Sequence, residues 1–129
     1  MAKAVTGTSD SMMAPNLPVQ FSAAIDRAHL YRMTMGDRSL EQEVLRLFDR
    51  QAVLLIERMR TGDGPAIGAL AHTLKGSAAG IGATTVAHAA ADAEHAALHA
   101  PGEIACTIDR LAQAIDEARG LIAALLRAQ

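Results

Sequence analysis

The sequence predicts an all-α fold, an up-down antiparallel four-helix bundle with one short additional N-terminal helix. Three observations point to it. Apolar residues recur at three- and four-residue steps through four long stretches, the glycine, proline and serine clusters between them are short, and no segment alternates as a strand would. Short links make consecutive helices antiparallel neighbours. With 129 residues, half of them apolar, the chain has enough material for one core and one domain.

Taken in order, "MAKAVTGTSDSMMAPNLP" mixes small and polar residues without a period, so residues 1–20 read as a flexible tail and 21–129 as the domain. A short helix is expected from Asp26 to Met35. "GDRS" breaks it, and Ser39 with Gln42 forms a capping box for a long second helix whose apolar stripe is Leu40, Val44, Leu47, Phe48, Leu55 and Met59. "TGDGP", Thr61 to Pro65, ends that helix and opens a third at Pro65. The third runs to Ile81 with Ile67, Leu70, Ala71, Leu74, Ser77, Ala78 and Ile81 facing inward, and Gly80 and Gly82 close it. A fourth follows from Ala83 or Thr84 to His99, with Val86, Ala90, Ala93 and Ala97 as its buried strip. Pro101 starts a fifth, in which Ile104, Ile108, Leu111, Ile115, Ala118, Ile122 and Leu125 step alternately by four and three.

Composition removes several classes of function. A net charge of -2 and a pI near 6.2 give no basic field for nucleic acid, and Phe21, Tyr31 and Phe48 are too few rings to stack bases. Cys106 is the single cysteine, so neither an internal disulfide nor a cysteine zinc site is expected. The first twenty residues lack a signal-peptide core, and no apolar run reaches the eighteen or so residues needed to span a bilayer; a cytoplasmic protein without membrane contact is expected. No phosphate-cradling glycine loop or ATP-binding unit is recognisable either, so the chain should not be an enzyme that makes phosphoryl groups.

Chemistry concentrates in "AHTLKGSAAGIGA", Ala71 to Ala83. At about 100° per residue, Gly68, His72, Lys75, Gly76 and Ala79 share one face of the third helix, opposite its apolar stripe. A solvent face normally carries long, good helix formers, yet here all but Lys75 are reduced to hydrogen or methyl around the histidine. Helical side chains lean toward the N-terminus, so the residue at position 76 would cover the ring of His72, and glycine leaves it open. Lys75 is one of only two lysines, the other being Lys3, and a mobile ammonium suits a charged group that comes and goes. An exposed imidazole titrates near pH 6.5 and is a ready nucleophile. A phosphoryl group fits the rest, since Lys75 offsets its charge and Gly76 and Ala79 leave it room. The plain alternative is a surface histidine beside a packing glycine.

His-Thr-Leu-Lys-Gly-Ser followed by Gly82-Ala83 resembles the signature of the histidine-containing phosphotransfer (HPt) domains. The likeness extends from about Asp26 to the C-terminus and includes Phe48 in the preceding helix and the alanine-rich helix after Gly82. It implies that His72 is the phosphorylated residue, with Lys75 and Gly76 in support; Ser77 belongs to the motif too, but its place on the apolar stripe makes it a small packing residue, its hydroxyl expected to bond back to the Thr73 carbonyl. It also implies a donor and an acceptor: the aspartyl phosphate of a receiver domain, often in a hybrid sensor kinase, and the aspartate of a response regulator. No cofactor of its own is implied, because Mg2+ would sit on the receiver. A monomer is expected.

Two rival readings differ in class. His88, Asp92, His95 and His99 form a strip on the fourth helix that could suggest a metal-binding or helical interaction module. Its ends lie about 16 Å apart, so one ion cannot reach all four, and no metal site is expected. The other rival is the phosphoacceptor domain of a chemotaxis-type kinase, loaded from ATP.

Overall fold

The computed structural model describes residues 24–128, and every regular element among them is helical. The tail at 1–20 and the domain's first residues, 21–23, lie outside the described residues. In chain order the elements are α1 (Arg27–Met33), α2 (Arg38–Thr61), α3 (Gly64–Ile81), α4 (Thr84–His99), a 3-10 turn (Pro101–Glu103) and α5 (Ile104–Ala128).

Each start has a local cause. Asp26 caps α1, its carboxylate accepting from the His29 amide at 3.0 Å. The capping box expected at Ser39 is replaced by Asp37, whose carboxylate accepts from Leu40 N at 3.0 Å, so α2 opens two residues earlier and Ser39 lies inside it. Met35 and Gly36 both take positive φ, 54° and 74°, ending α1 before Met35 and turning the chain so that Asp37 is extended and able to cap. α3 begins at Gly64 rather than Pro65, with Asp63 accepting from Ala66 N at 2.9 Å and proline in the first turn. Its end is Gly82 in the left-handed conformation.

α2 packs against α3 and α5, α3 against α4, and α4 against α5, closing a ring of four helices on one core, with α1 resting on α3. Ile25, Leu30, Leu45, Met59, Leu74, Val86, Leu111, Ile115 and Ile122 are its largest fully buried side chains. Where α3 packs on α4 both helices bury alanines, Ala71 and Ala78 on the one and Ala90 and Ala93 on the other, all fully buried. Without larger side chains to separate them, the two backbones come close. Ala96 is buried on α4 and Ala97 only partly, reversing the expected order at that end of the strip.

The stripe expected on α2 needs a larger correction. Leu45, Phe48, Ala52, Leu55, Ile56 and Met59 form its buried face, whereas Leu40 and Leu47 stand outside the core. Leu54 is exposed as well.

α1 is fastened across the turn between α3 and α4. Asp26 N donates to Gly82 O at 2.7 Å, His29 Nε2 lies 3.2 Å from Gly80 O, and Ile25 is fully buried beneath them. Gly82 has φ +81°, and a Cβ there would lie 2.8 Å from Asp26 O. Gly82→Ala is therefore expected to lose about 2 kcal/mol or more in urea denaturation, from left-handed strain and the clash with α1. Gly80→Ala, where a Cβ meets nothing within 4 Å, should be neutral or stabilising in the same assay.

Candidate functional site

His72 projects from the middle of α3, eight residues past Gly64 and nine before Ile81, where the helix is most rigid. Its side chain is 69% exposed. Nδ1 lies 2.9 Å from Oε2 of Glu94 on α4, and Lys75 Nζ donates to Oε1 of the same carboxylate at 2.8 Å. One carboxylate thus holds both the imidazole and the ammonium. This corrects the expectation of an unattended ring beside a free cation, and the residue responsible, Glu94, was missed in the sequence. As an acid among alanines on α4 it reads there as part of a solvent face; only the close α3–α4 seam brings it beneath the histidine.

The contact orders the ring without covering it. An ionised carboxylate only accepts, so Nδ1 carries the proton toward Glu94, and the Nε2 edge points away from the pair. No hydrogen-bond partner of Nε2 is found among the described residues. The Lys75 ammonium, despite partial burial, holds the Glu94 carboxyl below the ordinary carboxylate range, and the His72 contact adds to this. Glu94 is consequently an anion at neutral pH.

Around the ring, Gly76 is exposed, and a Cβ built on it would meet nothing within 4 Å. Ala79 and Thr73 are exposed too. Gly68, expected on the same open face, is buried beneath α4, with Ala97 Cβ and Leu98 Cδ2 at 3.7 and 4.0 Å from the position of its missing Cβ. Its direction, about 40° from His72 on the side where α4 lies, explains the difference. Ser77 is half-buried, and it is the hydroxyl of Thr73, not of Ser77, that back-bonds, donating to Ala69 O at 3.1 Å.

On the outer side of α4, His88, Asp92, His95 and His99 are exposed, and the rings of His95 and His99 tilt against each other with centroids 4.9 Å apart. Among the described residues no group of three or more metal-ligating side chains is placed to hold an ion. No described helix is long and apolar enough to cross a membrane. Cys106 is an exposed free thiol at the start of α5. The arrangement around His72 can therefore do one kind of chemistry well: it presents an oriented, uncovered ring nitrogen, backed by an anion and flanked by a cation, to a reagent large enough to need cleared ground.

The family model described as Hpt domain matches residues 38–128, well over half of the chain. Searches of curated proteins and of solved structures gave no match.

Proposed function

Because the chain belongs to the Hpt domain family, whose members carry phosphoryl groups on histidine in two-component signalling and have no kinase activity of their own, we propose that His72 is its phosphoacceptor in a multistep relay. In this reading the phosphoryl group arrives from the aspartyl phosphate of a receiver domain, as in a hybrid kinase, and leaves for the aspartate of a response regulator. The single observation that carries it is the paired contact of Glu94 with His72 Nδ1 and Lys75 Nζ beneath an uncovered Nε2. The domain works as a cytoplasmic monomer.

The four long helices run alternately up and down. Supporting this, Arg60 and Asp49 of α2 pair with Asp109 and Arg119 of α5, so the numbering falls on one helix as it rises on the other. The same inversion links α3 to α4, where Gly68 lies under Ala97 and Leu98, and Lys75 reaches back to Glu94.

The step balances on this chain's own atoms. Nε2 offers its lone pair to phosphorus, the N–P bond forms as the P–O bond to the partner's aspartate breaks, and the bonding pair leaves with the carboxylate. Nδ1 keeps its proton. The ring therefore gains positive charge as the bond forms, and Glu94, already hydrogen-bonded to it, stabilises that charge without moving. Lys75, three residues along and 38% exposed, is near enough to share the charge of the phosphoryl oxygens. Gly76 and Ala79 leave the approach open. The receiver contributes Mg2+, which neutralises phosphoryl charge when bound. Reversal delivers the group onward, and an N-phosphoryl and an acyl phosphate are close enough in transfer potential for both directions to run.

The deciding experiment mixes the protein with a phosphorylated receiver domain and maps the acid-labile, alkali-stable phosphate by mass spectrometry. Label on His72 is expected; label elsewhere, or none, sinks the reading. Glu94→Gln keeps an acceptor but removes the charge, so uptake should slow on the order of tenfold. Stopped-flow uptake rates, together with 15N shifts of the imidazole to report its tautomer, check this.

A further inference from the structure

His95 and His99 stand on the outer side of α4, both exposed, with ring centroids 4.9 Å apart and ring planes tilted at 49°. Residues four apart are neighbours on one helix face, about 6 Å from each other along the axis. The whole strip from His88 to His99 is too long for one ion, but its last two members are not. His88 lies about 10 Å before His95 along the helix and stays out of reach.

The separation of the two rings is the one a shared ion requires. A ligating nitrogen sits about 2.0–2.1 Å from a zinc-like divalent ion and the ring centre about 1.15 Å behind that nitrogen, so each centroid stands about 3.2 Å from the metal. Neighbouring ligands subtend about 90° at a square or octahedral ion and about 109° at a tetrahedral one, which puts the two centroids about 4.5–5.2 Å apart. The observed 4.9 Å falls inside that range. Tilt matters as well as distance. Each imidazole lone pair lies in its ring plane, so parallel stacked rings aim theirs along lines that never meet, whereas planes inclined at 49° intersect and can share a point.

The local charge favours a cation. α4 contains no lysine or arginine, and its two acids, Asp92 and Glu94, fall within one turn of His95. The Lys75 ammonium, on the side of α3, is already paired with Glu94. No third ligand joins the pair among the described residues.

We propose that His95 and His99 form a bidentate surface site for a late divalent transition ion, Cu2+, Ni2+ or Zn2+, with water in the remaining coordination positions. Imidazole selects these ions over Mg2+ and Ca2+, which require oxygen ligands. Two protein ligands make an exchangeable site, not a structural one. The clip spans the last turn of α4, whose C-cap residue, Ala100, is neither glycine nor left-handed, so binding fastens that helix end and stabilises the folded chain by mass action. The site is separate from the one around His72: His95 is turned about 100° around α4 from Glu94, the residue that meets the His72 ring.

The test is calorimetric titration of the untagged full chain with NiCl2, and with MgCl2 as a control, on wild type, His88→Gln, His95→Gln, His99→Gln and His95→Gln/His99→Gln. Wild type and His88→Gln are expected to bind Ni2+ with the same affinity. Each variant lacking a member of the pair should bind at least tenfold more weakly, the single variants as weakly as the double, because a chelate loses its advantage with either leg. Ni2+ should also raise the melting temperature of wild type by a few degrees and leave that of the double variant where it is. Wild-type affinity in His95→Gln or His99→Gln overturns the proposal, as does an equal loss in His88→Gln. So do small losses in the single variants that only together make up that of the double, since two independent histidines behave in that way. Absence of Ni2+ binding to wild type, or Mg2+ binding of equal strength, overturns it outright. Paramagnetic broadening of the wild-type imidazole signals by Ni2+ asks the same question without any substitution: broadening strongest at His95 and His99 is expected, and broadening centred on another histidine defeats the assignment.

Discussion

His72→Gln is expected to reduce phosphoryl uptake to background while the protein melts within a degree or two of wild type. The two halves of that outcome have separate causes. The side chain is 69% exposed and contributes little to packing, and substitutions at such positions usually move stability by about 0.5 kcal/mol or less. Glutamine can still donate to Glu94, so the carboxylate is not stranded. What disappears is the ring nitrogen itself, for which no other side chain stands ready: His88, His95 and His99 lie on the outer side of α4, and His29 is tied to Gly80 O. Acid-labile phosphate after mixing with a phosphorylated receiver, measured beside a circular-dichroism melt, checks both halves. Retained uptake would move the chemistry to another residue.

Gly76→Leu separates stability from activity in opposite directions. A Cβ at Gly76 meets nothing within 4 Å, so the backbone accepts a side chain, and leucine should stabilise the helix by up to about 0.8 kcal/mol through propensity. Longer branches, leaning toward the N-terminus of α3, then reach over the imidazole one turn back. Transfer from a receiver should fall by at least tenfold while the melting temperature rises by a few degrees. Gly76→Ala, whose methyl is too short to cover the ring, should gain a similar stability and keep most of the transfer. A leucine variant that transfers at the wild-type rate would remove the steric role assigned to this glycine.

The bundle could be read from the sequence because its signals are local. Periodicity and the glycine and proline breaks located α3, α4 and α5 to within a residue or so at most ends, since burial of one helical face dictates residue type along the face. At the start of α2 the sequence pointed to Ser39 as the cap, and the structure uses Asp37 instead, because the positive φ of Gly36 turns the chain so that the aspartate is extended. Leu40 and Leu47 satisfy a three- and four-residue rhythm as well as any core residue does, and rhythm alone cannot tell a core face from an exposed apolar one. The site divided in the same way. His72, Lys75 and Gly76 share one helix and can be related by angle, whereas Glu94 is 22 residues from His72 and meets it only through tertiary packing. Gly68 was misplaced for the same reason, because nothing on α3 records which flank α4 will cover.

The small-residue seam behind the site has a consequence for its tolerances. Ala71 and Ala78 of α3 and Ala90 and Ala93 of α4 act as a gauge block for the contacts of Glu94, which stand at 2.9 Å to the imidazole and 2.8 Å to the ammonium. Widening the gap by a single carbon–carbon bond length would carry the carboxylate out of hydrogen-bonding range of at least one of them. Four methyl groups remote from the exposed ring edge thus calibrate the alignment of the imidazole proposed to carry the phosphoryl group.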